Sequence, residues 1–331
     1  MTDAFRALVA RQVDGSQKVG IERLQEEDLP PGDVTVDVEY SSFNYKDGLA
    51  LQGRSRILRR FPIVPGIDFA GTVRQSASDA FEVGDRVVLT GWGVGEGWSG
   101  GFAERARVKS EWLVKLPVSM TTRQAMGIGT AGLTSMLCVM ALEQHGLETG
   151  AKILVSGAGG GVGSIAIRLL AKRGHEVTAL TGRLSGETYL RTLGAAHVMA
   201  RSQYQEPGKP LAAERWDGAV DSVGGTILAN ILASVRYGGA VAACGLAGGS
   251  DLPTTVFPFI LRNVALLGVD SVQCPKPVRE KAWQELAQAL GNEDAGALVS
   301  EASLDDLISL SERILAGRIR GRTIVRLQAP Q

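Results

Sequence analysis

Several kinds of feature are missing from this sequence. Nowhere in the 331 residues do eighteen apolar side chains run without interruption, so no stretch is a candidate to span a bilayer. Residues 1–6 lack the basic region and apolar run that mark a secretory leader. Neither sign of charge dominates, because 35 Lys and Arg balance 35 Asp and Glu. No basic excess points to nucleic acid, and no acidic tail points to disorder. The three cysteines, Cys138, Cys244 and Cys274, are far apart and odd in number, with neither a disulfide framework nor metal spacing. His145, His175 and His197 are equally isolated, at expected helix ends or strand starts, and read as structural. These absences predict a soluble, cytoplasmic chain with no membrane, nucleic-acid or metal partner.

What the chain has is glycine, 42 residues of it, and a length that favours two domains. The densest glycine cluster follows the apolar run Ile153-Leu-Val-Ser and reads Gly157-Ala-Gly-Gly-Gly161-Val-Gly163. Val162, Ile165, Ala166, Leu169 and Leu170 then recur at helical spacing, and Gly174 supplies the stop. Strand, tight turn and helix form the context in which a glycine pattern binds a dinucleotide. The turn lets the backbone approach a pyrophosphate, and the helix start points its N–H groups at the charge. Ala158 stands where the pattern usually opens with glycine, which is tolerable if the turn needs no positive φ there. The next strand, expected at 176–180, runs into Thr181-Gly182-Arg183 and not into the carboxylate that holds NAD ribose hydroxyls. A guanidinium there suits a 2′-phosphate, which favours NADPH over NADH.

Before residue 121 the pattern is short and β-like. Strands are expected at 4–10, 33–40, 67–73 and 85–90; Val34, Val36 and Val38 alternate cleanly with polar residues. Residues 91–101 form a glycine-rich loop with two tryptophans, either a flap over a pocket or a surface connection. Arg54, Arg56, Arg59 and Arg60 make a basic cluster, either a solvated helix face or an attractor for phosphates. Residues 122–142 look helical. Further strands are expected at 197–200, 218–223, 239–245, 264–269 and 322–327, and helices at 278–290 and 304–316. Near-continuous apolar strands alternating with helices predict an α/β, doubly wound parallel sheet beside a barrel-like β domain.

Four motifs occur in order: Asn44-Tyr-Lys-Asp47, Pro65-Gly-Ile-Asp-Phe-Ala-Gly71, Val83-Gly-Asp-Arg-Val87 and Ala158-Gly-Gly-Gly-Val-Gly163. Together they resemble the zinc-free quinone-oxidoreductase branch of the medium-chain dehydrogenase/reductase superfamily. Asn44–Asp47 again, with Ala243-Cys-Gly-Leu-Ala-Gly-Gly249, Pro258–Val264 and Gly268-Val-Asp-Ser271, resembles its NADPH-dependent acryloyl-CoA reductases. The resemblance covers essentially the whole chain. It implies a GroES-like catalytic domain from residues 1–126 and 265–331, a Rossmann domain at 127–264, and a homodimer paired around Val264–Val269. Zinc-dependent relatives carry Cys at the position of Asn44 and Gly-His-Glu at that of Gly66-Ile67-Asp68. Asn and Ile supply neither thiolate nor imidazole, so no metal is expected.

The resemblance implies reduction of the carbon–carbon double bond of acryloyl-CoA to propionyl-CoA. Catalytic roles then fall to Tyr45, Asn44 and Asp47. Tyr45 would contact the cofactor or help deliver a proton, Asn44 would bond the nicotinamide ribose or the substrate carbonyl, and Asp47 would act directly or orient Lys46 or nearby arginines. Cofactor contacts are expected at Tyr45, Gly160, Gly161, Val162, Thr181, Gly182, Arg183, Arg201, Leu246, Ile260, Ser271 and Gly317. The coenzyme A phosphates are expected at Arg59 and Arg60, with Arg322 also near the substrate. Two other readings stay open: an NADPH-dependent quinone or generic enone reductase, and a non-catalytic NADPH-binding protein.

Overall fold

The structure, a computed structural model, describes residues 4–290 and 299–328. It divides into two units: residues up to Thr130 with those from Ser271 onward, and Ala131–Asp270. The sequence reading set the second domain at 127–264.

In chain order, the first unit begins with β1 (Phe5–Val13), β2 (Ser16–Leu24), β3 (Val34–Ser42), α1 (Tyr45–Leu51), β4 (Asp68–Ser76), β5 (Arg86–Thr90), β6 (Arg105–Val108) and β7 (Val114–Lys115). Helix α2 (Thr122–Gln144) is broken at Gly129 and leads into the second unit. There follow β8 (Lys152–Val155), α3 (Gly161–Lys172), β9 (Glu176–Thr181), α4 (Glu187–Thr192), β10 (His197–Ala200), β11 (Trp216–Asp221), α5 (Gly225–Ser234), β12 (Val235–Ala243), α6 (Phe257–Arg262) and β13 (Ala265–Gly268). The chain returns to the first unit with α7 (Lys276–Leu290), β14 (Val299–Ala302), α8 (Leu307–Leu315) and β15 (Arg322–Arg326).

In the first unit β1 and β2 make a hairpin whose two turn residues, Asp14 and Gly15, both have positive φ. That is the backbone an Asp-Gly two-residue hairpin loop requires. The larger sheet runs β14-β15-β3-β4-β5-β7, with β6 also on β3. The alternation of β3 does its expected work: Val34, Val36 and Val38 are fully buried among Phe69, Val87, Leu89, Phe102 and Leu113. β15 lies antiparallel to β3, pairing Ile324 with Ser42, and so brings the end of the chain to the start of α1. The stretch 54–60 forms turns, not the helix face considered above.

The glycine-rich loop 91–101 is tied down. Gly95 N–H donates to Trp98 O at 2.7 Å and Gly100 N–H to Val64 O at 2.7 Å. The Trp98 indole donates to Arg107 O at 2.8 Å and packs edge-on against Trp112.

The second unit has the strand order β10-β9-β8-β11-β12-β13, all parallel. Counted from β8 this is 3-2-1-4-5-6, the doubly wound order that opens a crevice at the carboxyl ends of β8 and β11, where the winding reverses. Ile153, Leu154, Val155, Val177, Ala179 and Val241 are fully buried, as strands covered on both faces require. α2 is the one described helix long and apolar enough to cross a membrane, and most of that apolar stretch is buried inside the protein.

Candidate active site

The glycine cluster sits where the reversal of winding places it. Gly157, two residues past the end of β8, has φ +59, and a Cβ there would run into Ser222 Oγ. At Gly163 a Cβ would lie 2.7 Å from Ala158 Cα, so that glycine lets α3 pack against the turn. Ala158 has no positive φ and is fully buried, so the turn accepts its methyl. Gly159 differs in kind: a Cβ there would meet nothing within 4 Å. Gly160 is the N-cap of α3, and helix geometry leaves the N–H groups of Gly161, Val162 and Gly163 without intrahelical acceptors. A cradle open to solvent and lined by N–H groups fits a pyrophosphate.

At the end of β9, Thr181 is buried while Gly182 and Arg183 are exposed. A Cβ on Gly182 would lie 3.1 Å from Arg201 Cζ, because the Arg201 guanidinium lies across that glycine. The structure therefore brings Gly182, Arg183 and Arg201 together beside the turn, with two guanidiniums where NAD-binding chains carry a carboxylate. Asp221, which the sequence reading did not single out, braces the crevice at the end of β11. It accepts from Ser156 Oγ at 2.5 Å and from the Gly224 N–H at 2.7 Å, and burial raises its pKa.

Leu246 lies in the loop after β12, where Gly245 and Gly248 pack on Ser222 and Val223. Leu246 and Ile260 are 66% and 68% exposed, and Val256, Phe257 and Leu261, at and in α6 just before β13, are exposed as well. Cys138 and Cys244, distant in sequence, meet in this unit. A hydrogen bond to Cys244, together with burial, pushes the Cys138 thiol well above the usual thiol range.

In the first unit, Asn44 is the N-cap of α1 and Asp47 its third residue, a capping box. Asp47 accepts the Asn44 N–H at 2.9 Å and the Ile67 N–H at 3.1 Å. Next to it Asp68, missed in the sequence reading, accepts Ser42 N–H at 3.1 Å, Ser42 Oγ at 2.8 Å and Thr130 N–H at 2.9 Å. The Asn44 amide nitrogen lies 3.1 Å from both carboxylates, so its two N–H groups are engaged inside the protein. Burial, and then the charge of Asp68, raise the Asp47 pKa to about 7.

Arg322 is buried in this cluster. It donates from Nη1 to Asn44 Oδ1 at 3.0 Å, from Nη2 to Ser42 Oγ at 2.6 Å and from Nε to Gly127 O at 3.2 Å. The side chain that was expected near the substrate thus bonds to Asn44, Ser42 and Gly127 within the unit. Asp47 does not orient Lys46 either: Lys46 pairs with Glu96 at 2.8 Å. Arg59 shares the same buried Glu96 yet is 71% exposed, and Arg60 lies over the Trp98 ring. Tyr45, at the first position of α1, is 45% exposed. The Ser271 carbonyl is held by Arg279, and Gly317, with φ +65, closes the end of α8.

Zinc does not fit here. The cluster offers no thiolate or imidazole, and a metal ion would meet the Arg322 charge. Among the described residues no group of three or more His, Cys, Asp or Glu is placed to hold a metal.

A GroES-like β unit with a buried polar cluster, and a doubly wound unit with an open glycine turn, define a medium-chain dehydrogenase/reductase. Comparison with known proteins agrees. The family models described as alcohol dehydrogenase GroES-like domain and zinc-binding dehydrogenase match residues 30–118 and 161–290. The acrylyl-CoA reductase AcuI of Ruegeria pomeroyi is 49% identical over 98% of this chain and its own full length. The crystal structure of Escherichia coli K-12 YhdH with bound NADPH has a TM-score of 0.94 and 52% identity, covering 97% of this chain and all of that one. Bacillus subtilis yhfP with NAD bound also has a TM-score of 0.94, at 43% identity over 98% of this chain and 100% of its own. The chain belongs to the medium-chain dehydrogenase/reductase superfamily, in its quinone-oxidoreductase branch.

Proposed function

We propose that this chain is an NADPH-dependent reductase of the carbon–carbon double bond of acryloyl-CoA, giving propionyl-CoA. The observation that carries the cofactor choice is the Arg201 guanidinium lying across Gly182, with Arg183 next in the chain. Two forked cations at the end of β9 recognise a 2′-phosphate that NADH lacks. Gly159 and Gly160 leave room for the pyrophosphate, and the N–H groups of Gly161 and Val162 receive it. Near-half identity to a named acrylyl-CoA reductase supports the choice of substrate.

NADPH, once bound, supplies the hydride that the β-carbon of the alkene accepts. The chain must stabilise the negative charge that then develops on the thioester oxygen and supply a proton to the α-carbon. Tyr45 is assigned that work: a phenol donates a hydrogen bond while neutral, and this one is exposed at the start of α1. Asn44 and Asp47, whose polar groups face one another, hold that helix start and do not contact substrate. Arg59 and Arg60, with Arg54 and Arg56, draw in the coenzyme A phosphates. We assign a homodimer in which the open edge of β13 and the exposed Val256, Phe257, Ile260 and Leu261 meet a second copy.

The test follows NADPH and NADH consumption with a panel of enoyl-CoA thioesters and a benzoquinone. Turnover of acryloyl-CoA with NADPH, well above that with NADH or the quinone, is expected. Faster reduction of the quinone than of every thioester would overturn the assignment.

A further inference from the structure

The buried cluster of the first unit ties together three separate stretches of chain, 42–44, 68 and 126–130, around one cation. The Arg322 fork reaches Asn44 Oδ1, Ser42 Oγ and Gly127 O in three directions. Asp68 gathers donors from the same stretches: Ser42, the Asn44 amide and the Thr130 N–H. Asn44 is thereby held at both ends of its amide. Organising several segments around one charge is the work a structural metal ion does elsewhere.

A second observation stands apart from the hydrogen bonds. Helix α2 is broken at Gly129, with φ +54. A Cβ there would run into Arg322 Nη2 and lie 2.7 Å from Ser42 Oγ and 3.1 Å from Asp68 Oδ2. The backbone leaves helical geometry at the point where the cluster needs the space, and the Thr130 N–H turns to Asp68 at 2.9 Å.

We propose that Arg322 and Asp68 are positioning residues: the guanidinium is a tethered cation, standing near where zinc-dependent relatives place ligands, that fixes Asn44 and so the placement of Tyr45. Both side chains are buried, and both bond to Ser42 and Asn44 within the unit. Lysine cannot replace Arg322, because a point charge does not span three acceptors. The activity arm of the test rests on the function proposed above; the spectroscopic arm does not.

The full chain is labelled with 3-fluorotyrosine, and the Tyr45 fluorine resonance is assigned by its loss in Tyr45→Phe. In Arg322→Ala that resonance is expected to shift or broaden. Turnover should fall about a hundredfold, the cost of a small misplacement, with KM for NADPH little changed. Millimolar guanidinium chloride should restore both, and Arg322→Lys should restore neither. Asp68→Asn, an isosteric change, carries the same test if Arg322→Ala does not fold. A folded variant of either residue with a native Tyr45 resonance overturns the proposal, and so does failure of both variants to fold, which would make the cluster purely structural. A shifted resonance in the variant of a chain inactive on acryloyl-CoA would sustain the positioning role and sink the substrate instead.

Discussion

The two units spend their hydrogen-bonding capacity in opposite ways. At the glycine turn of the second unit, Gly159 faces open space and the first N–H groups of α3 have no intrahelical acceptor. In the polar cluster of the first unit, Asn44, Asp47, Asp68 and Arg322 bond to one another and to neighbouring backbone. A binding site keeps capacity for its ligand; a scaffold uses its own. The contrast separates residues that the motifs alone group together, since the polar groups of Asn44 and Asp47 bond within the unit while Tyr45 is half-exposed.

The largest expected effect tests the closed side. Asp47 has its pKa raised to about 7 in the folded state, so between about pH 4 and 7 the native chain holds a proton that the unfolded chain has released. Stability from this group is therefore greatest below pH 4, falls as pH rises to 7, and is flat above. The loss amounts to at most a few kcal/mol. Asp47→Asn should flatten this slope, seen as a smaller change in urea midpoint between pH 5 and pH 8 than in the native chain. An unchanged slope would remove Asp47 as its source.

Tyr45→Phe comes next, with a fall in turnover of about a hundredfold and little change in NADPH affinity. A native rate in that variant would put Tyr45 outside the chemistry. On the open side, Arg183→Ala and Arg201→Ala should each weaken NADPH about tenfold in calorimetry while leaving NADH unaffected. Equal losses for both cofactors would mean that the arginines do not read the 2′-phosphate. Gly159→Ala sharpens the contrast. With nothing within 4 Å of its Cβ it should keep the native melting temperature yet bind NADPH more weakly, whereas Gly163→Ala should lower both. The smallest effect belongs to Arg59→Ala with Arg60→Ala: a few-fold rise in KM for acryloyl-CoA that fades with added salt.

How legible these features were in the sequence depended on whether they are local. The turn, β8 and α3 form one continuous stretch, and glycine spacing with apolar periodicity marks it directly. Helix α1 was missed, although Asn44 and Asp47 stand at the spacing of a capping box, because seven residues carry too little periodicity. Helix α5 was missed for the opposite reason: Ile227, Leu228, Ala229, Ile231 and Leu232 are all buried, so no polar face reveals the period. The cluster around Asp68 joins residues as far apart as Ser42 and Arg322, and no window of sequence contains it. Its one local sign is an acidic residue between the apolar Ile67 and Phe69, at the start of β4. Arg322 was expected near the substrate, and its bonds to Ser42 and Asn44 emerge only from the fold, in which β15 runs antiparallel beside β3.

Ala158 carries one more consequence. A methyl group where the motif commonly has glycine restricts the backbone of the unfolded chain, and it costs nothing in the native turn, where φ is ordinary. The glycine turn is thus stiffened in advance, and under the proposed function less ordering entropy remains to be lost when a dinucleotide docks there. A more rigid loop also discriminates more sharply among ligands of different shape.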